Sequence, residues 1–104
     1  MKRIFITGVA GFIGFSLANK FLKKQYKVIG IDNFDNYYSI KIKKERLKIL
    51  KKNKNFVFYN VDISNFKNIF RIIKKNKIDI LIHLAAQAGV RYSLINPNKY
   101  LDVN

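Results

Sequence analysis

The chain has no cysteine and a single histidine, which excludes a disulfide framework, a thiolate nucleophile, a Cys-based zinc site and a His-rich metal centre. No metal is expected. Proline occurs once and glycine five times in 104 residues, too few for a flexible linker or a low-complexity segment, and no internal repeat is present. Long apolar runs are also missing: nothing reaches the roughly 18 uninterrupted apolar residues of a membrane span, so no membrane partner is expected. Met1-Lys2-Arg3 and the apolar run after it imitate a secretory signal peptide. Three strictly spaced glycines inside that run fit a nucleotide loop better, and with the lack of cysteine they point to a cytoplasmic protein.

Acidic residues are scarce, 6 against 21 Lys+Arg, for a formal net charge of +15. Such a balance raises nucleic acid as a partner, because clustered cations release counterions from phosphate. Lys, Ile and Asn together fill 45 of the 104 positions, however, and A/T-rich codons specify all three, so base bias explains the excess of lysine without selection for a polyanion. The stretch from Lys41 to Lys54 reads accordingly as a solvated helix face, and no nucleic-acid partner is expected. At 49% hydrophobic and 14% aromatic the chain is too apolar for a disordered polycation, and its length allows one compact unit.

Hydrophobic patterning predicts strands over 3–7, 27–31, 55–60 and 79–84, and helices over 12–24, 39–52 and 65–75. Ser64 is the expected cap of the third helix, in which Phe66, Ile69, Phe70 and Ile73 share a face. Asn96-Pro97 looks like the start of a fourth, with proline at the first helical position. The order βαβαβαβ implies an α/β Rossmann-like parallel sheet, the N-terminal four-stranded part of a doubly wound fold that normally has six strands. Its fourth strand would then be a bare apolar edge.

Gly8-x-x-Gly11-x-x-Gly14 follows the first strand and opens the first helix. The first glycine permits the tight turn, the second lets backbone approach a pyrophosphate, and the third lets helix pack closely on strand. The pyrophosphate then sits on the positive helix N-terminus. Asp32 ends the second strand, where a carboxylate accepts both ribose hydroxyls of an adenosine. Its charge repels a 2'-phosphate, and neighbouring Asn33 offers no compensating cation, so NAD is expected over NADP. The alternative for Asp32 is a solvated turn acid. His83, near the end of the fourth strand, reads as a packed, hydrogen-bonded residue, with a cofactor-adjacent role as the alternative, and Phe56, Phe58 and Tyr59 read as core packing in a strand.

Thr7-Gly8-x-x-Gly11-Phe12-Ile13-Gly14, Gly30-Ile31-Asp32-Asn33, Val61-Asp62-Ile63 and His83-Leu84-Ala85-Ala86 together resemble the N-terminal half of the extended short-chain dehydrogenase/reductase family, the NAD-dependent sugar-nucleotide epimerases and dehydratases. The run Gln87-Ala88-Gly89-Val90-Arg91-Tyr92-Ser93, with Asn96-Pro97 beyond it and Asp35-Asn36-Tyr37-Tyr38 after the acid, is similar to the UDP-glucuronate 4-epimerase branch. The resemblance implies that Gly8, Gly11, Phe12, Ile13 and Gly14 hold the pyrophosphate of NAD, Asp32 and Asn33 the adenosine ribose, and Asp62 and Ile63 the adenine. Leu84, Ala85, Ala86 and Gln87 would border the nicotinamide half, while Arg91 and Ser93 would face a UDP-sugar. Asp62 as a turn initiator and Arg91 as an ordinary loop cation remain open alternatives.

In this family hydride leaves C4 of the sugar for NAD, giving a 4-keto intermediate, and returns to the opposite face. The family's catalytic Tyr-x-x-x-Lys and Ser/Thr fall after a fifth strand, past residue 104, so no catalytic residue is expected in this chain. The single internal match, Tyr37 to Lys41, lies on the adenosine side, away from hydride transfer. Residues 1–104 are thus expected to be an incomplete NAD-binding domain, a fragment of an isomerase that is inactive alone and whose full-length form is a homodimer. The alternatives are another nucleotide-sugar epimerase or 4,6-dehydratase, or a non-catalytic basic module binding nucleotide or nucleic acid.

Overall fold

A computed structural model describes residues 1–33 and 40–84 in full, and the backbone of 93–96 and 101–103. The elements are β1 (Arg3–Thr7), α1 (Phe12–Lys23), β2 (Lys27–Asp32), α2 (Ile40–Lys51), β3 (Phe56–Asn60), α3 (Phe66–Asn76), β4 (Ile80–His83), β5 (Ser93–Asn96) and β6 (Leu101–Val103). They form a six-stranded sheet in the order β3-β2-β1-β4-β5-β6. The first four strands are parallel, with Thr7 opposite both Ile31 and His83, and Asp32 opposite Asn60. The carboxyl ends of β1, β2, β3 and β4 therefore lie along one edge.

Continuous apolar strands suit a parallel sheet covered on both faces. On one face Ile4, Ile6 and Val28 pack with Ala18 and Leu22 of α1 and Leu47 and Leu50 of α2. On the other, Phe5, Ile29, Ile31 and Leu81 pack with Ile69 and Ile72 of α3. Alternate residues of β1 and β2 thus feed opposite cores, as the two-residue period of a strand requires. The amide of Arg3 donates to Asp79 Oδ2 at 2.9 Å, which ties the amino ends of β1 and β4 together.

The expected βαβαβαβ order is present, and three details differ. Asn65, not Ser64, caps α3: its side-chain oxygen accepts from the Asn68 amide at 3.3 Å, while Ser64 is drawn to Asp62. The buried stripe of α3 runs through Ile69 and Ile72, with Ile73 packed beside them, and leaves Phe66 69% and Phe70 47% exposed: the helix turns its 69, 72 and 73 line, an i, i+3, i+4 set, to the sheet. Lastly, Asn96 ends a strand where a helix start was expected: β5 and β6 pair antiparallel beyond β4, Ser93 opposite His83, so the sheet has six strands and β4 is not its edge. Unpaired strand N–H and C=O groups favour just such capture of an adjacent segment. Pro97 lies outside the described residues.

Candidate functional site

The glycine loop occupies the turn from β1 into α1, at the point where the chain order reverses between β1 and β4, which in open α/β sheets is the crevice that receives ligands. Gly8 has φ 69°, a left-handed conformation that a side chain disfavours. A Cβ on Gly14 would stand 2.3 Å from the Gly8 carbonyl oxygen and 2.9 Å from Val9 Cα, so only glycine lets α1 come this close to the loop. At Gly11 the corresponding contact is 3.2 Å, tight but not prohibitive. The amide of Gly11 donates to the Gly8 carbonyl at 3.0 Å, and that of Val9 to the Ile31 carbonyl at 3.1 Å. Gly11 is the N-cap of α1; it has no side-chain cap hydrogen bond and the first turn holds no acid. The leading N–H groups of α1 consequently face the crevice as an uncapped, electropositive helix end.

Asp32 is buried, 6% exposed, at the end of β2. Its Oδ2 accepts from the Ala10 amide at 3.1 Å and its Oδ1 from Lys43 Nζ at 3.0 Å, so the carboxylate is fixed against the loop from one side and α2 from the other. This removes the solvated-turn alternative. Asn33 itself offers no cation, as expected, but a compensating one exists, delivered by Lys43 eleven residues after Asp32. That ammonium is already engaged by Asp32, so a 2'-phosphate would have to compete for it. Lys43 is 8% exposed and is the exception to the solvated basic face read for residues 41–54. One turn on, Arg46 Nη1 donates to the Ala10 carbonyl at 3.0 Å, with its guanidinium carbon 6.0 Å from the centre of the Phe12 ring.

At the end of β3, Asp62 Oδ1 accepts from both the amide and the hydroxyl of Ser64 at 2.9 Å, an Asx turn leading to α3. The Ser64 amide is the main cause that holds the Asp62 carboxyl below its ordinary value of 3.8, followed by the Ser64 hydroxyl and the Asn33 side chain. The turn role is thus real, and the Asn33 contact joins the ends of β2 and β3. Ile63 turns partly inward and packs against the α3-side core. Ile13, at the start of α1, is partly buried.

Between β1 and β4, the buried Thr7 hydroxyl accepts from the Leu84 amide at 2.9 Å and lies 2.7 Å from His83 Nδ1. His83 is therefore a hydrogen-bonded structural residue, as expected, and Thr7 is the group that fixes where the chain leaves β4. Of the expected site residues, Gly8, Gly11, Phe12, Ile13, Gly14, Asp32, Asn33, Asp62, Ile63 and Leu84 fall along the same sheet edge. Ser93 is described as backbone at the start of β5; Ala85, Ala86, Gln87 and Arg91 lie outside the described residues, as do Asp35, Asn36, Tyr37 and Tyr38. Lys43, Arg46 and Thr7 went unrecognised as part of the site. The spacing of Lys43 and Arg46 on a basic helix carries no local signal, and only the packing of α2 beside the loop picks them out. Among the described residues there is no cluster of metal-binding side chains and no helix long and apolar enough to cross a membrane.

Residues 5–104 match the family model described as GDP-mannose 4,6 dehydratase. The chain is 48% identical over 99 residues to a UDP-glucuronate 4-epimerase of Thermodesulfobacterium geofontis, covering 95% of this chain and 31% of that protein. A crystal structure of UDP-glucuronic acid 4-epimerase from Bacillus cereus, in complex with UDP-glucuronic acid and NAD, superposes with a TM-score of 0.75 at 38% identity, covering 86% of this chain and 28% of that one. The UDP-Glc/GlcNAc 4-epimerase of Campylobacter jejuni superposes at 0.70 with 29% identity, covering 86% of this chain and 26% of that one. The chain thus spans about a third of the length of the relatives it matches. A match over almost every residue, with the glycine loop and the strand-end acid of the same sheet edge inside it, settles the kinship: the chain belongs to the GDP-mannose 4,6-dehydratase family, within the NAD-dependent epimerases and dehydratases of the extended short-chain dehydrogenase/reductase type.

Proposed function

We propose that the chain is the NAD-binding part of a nucleotide-sugar 4-epimerase whose substrate is UDP-glucuronate, interconverted with UDP-galacturonate. The observation that carries the cofactor half is the buried Asp32 carboxylate fixed against the glycine loop, with the uncapped start of α1 beside it. A Cβ at Gly14 would force α1 off the loop backbone, so the residues present fit the close approach of helix and loop that a dinucleotide site needs. In this reading Gly8, Gly11, Phe12, Ile13 and Gly14 surround the pyrophosphate on the N-terminus of α1. Asp32 accepts ribose hydroxyls, Asn33 stands beside it, and Asp62 and Ile63 border the adenine. Leu84, with Ala85, Ala86 and Gln87, borders the nicotinamide, and Arg91 and Ser93 face the sugar nucleotide.

When bound, NAD supplies the hydride acceptor and donor for a C4 carbinol. This chain's residues hold and orient it; the proton step belongs to a Tyr-x-x-x-Lys pair of the kind the family carries, which this chain does not contain at the hydride end. The choice of UDP-glucuronate follows the 48% identical relative and the 0.75 superposition. The test has two parts. Calorimetric titration of the chain with NAD and NADP should give saturable binding, tighter for NAD; a flat NAD isotherm sinks the cofactor reading. The protein that carries this chain with the remainder of such an enzyme should convert UDP-glucuronate to UDP-galacturonate by chromatography, and turnover of UDP-glucose in its place would move the assignment to another sugar.

A further inference from the structure

The peptide between Ala10 and Gly11 is held at both ends: its N–H donates to the Gly8 carbonyl at 3.0 Å and its C=O accepts from Arg46 Nη1 at 3.0 Å. The preceding peptide is held through the Ala10 amide on Asp32, itself paired with Lys43. Lys43 and Arg46 are three residues apart on α2 and so share a face. One reaches the acid behind the loop, the other the carbonyl within it. That carbonyl is the negative end of a peptide dipole sited next to an anion cradle. A flip of the Ala10–Gly11 peptide would turn it toward the pyrophosphate and cost binding through like-charge repulsion. The Arg46 guanidinium, half-buried and lying over the Phe12 ring, removes that option and adds a fixed positive charge.

We propose that Arg46 is a positioning residue for the dinucleotide pyrophosphate, acting through the Ala10 carbonyl and not by touching the ribose or the adenine. The proposal rests on the dinucleotide reading of the loop and deepens it. It separates two effects of α2: Lys43 works through Asp32 on the ribose, and Arg46 works through the loop on the phosphates.

The full chain is titrated with NAD, ADP and adenosine as wild type, Arg46→Gln, Arg46→Lys and Lys48→Gln. Lys48, exposed on the same helix, controls for the loss of one positive charge. Arg46→Gln should weaken NAD and ADP about equally, roughly tenfold, the loss of one charge-assisted contact, with adenosine unchanged within twofold. Arg46→Lys, which still donates to a carbonyl, should recover most of the loss, and this variant keeps the test open if the glutamine form does not fold. Equal weakening of adenosine and ADP would overturn the proposal in favour of a general structural role, and equal loss from Lys48→Gln would reduce it to bulk charge. Unchanged ADP binding in Arg46→Gln would refute it while leaving the dinucleotide reading intact; failure of the wild type to bind NAD would take down both.

Discussion

Asp32 and Asp62 stand at the carboxyl ends of neighbouring strands, and the fold treats them in opposite ways. Asp32 is buried between an ammonium and a loop amide, whereas Asp62 is solvent-exposed and bonded mainly to its own turn. The first couples three elements, β2, the glycine loop and α2. The second organises four residues and reaches outward only to Asn33. A carboxylate stands at or just past a strand end in both cases, so what separates a site-building acid from a turn-starting one is whether a helix packs over it.

The largest effect should come from breaking the buried pair. Lys43→Met removes the ammonium that faces the buried Asp32 charge, which should cost about 3–5 kcal/mol in denaturant unfolding; a loss under about 1 kcal/mol would mean that other contacts of Asp32 hold its charge. Next comes the loop. Gly14→Ala drives a methyl into the Gly8 carbonyl and should destabilise by about 3 kcal/mol, since backbone cannot step aside as a side chain can. Gly30→Ala makes a similar intrusion, 2.6 Å from Val9 Cγ1 and 2.8 Å from Val9 Cβ. Here Val9→Ala in the same molecule, which removes the Cγ contacts and keeps the Cβ one, should recover part of the loss, and a strictly additive double-mutant cycle would show the two sites to be independent.

Thr7→Val keeps the shape while stranding the Leu84 amide and removing the contact to His83, at about 1–3 kcal/mol. Its check is a fall in melting temperature with loss of protection of the Leu84 amide in hydrogen exchange. The smallest effect belongs to Asp62. Its folded pKa lies below 3.8, so its contribution is complete above the unfolded value and disappears as pH falls through the lower folded value. An NMR titration should place the Asp62 midpoint under 3.8, and Ser64→Ala should move it upward. An unchanged midpoint in that variant would leave the shift to the residue-64 backbone amide, which alanine retains, and to Asn33.

Much of this was legible in the amino acids. The glycine spacing after β1, the apolar runs of β1 to β4 and the acid ending β2 are local signals, each forced by sterics or by the burial of a whole strand, and they read through without knowledge of neighbours. Helix boundaries came within two residues. The cap of α3 did not, because Ser64 and Asn65 are both good caps and the choice between them is made by Asp62, which claims the serine. The buried stripe of α3 is less legible, since Phe66 and Phe70 are apolar enough to look like core while the helix turns Ile69, Ile72 and Ile73 to the sheet. The extra strands beyond β4 were hidden for a related reason: pairing with an edge depends on the edge, not on the residues that join it.

The sequence by itself determined the strand-helix alternation, the phosphate-loop geometry and the family, because these depend on residue types at short fixed spacings. Only the tertiary structure decided that one lysine of a basic helix is buried against Asp32, that Arg46 grips the Ala10 carbonyl and that the Thr7 hydroxyl links β1 to β4. Those contacts join residues 11, 36 and 77 positions apart. Lysine or threonine looks the same along the chain wherever it falls, and acquires a role only when packing removes it from water and offers one partner.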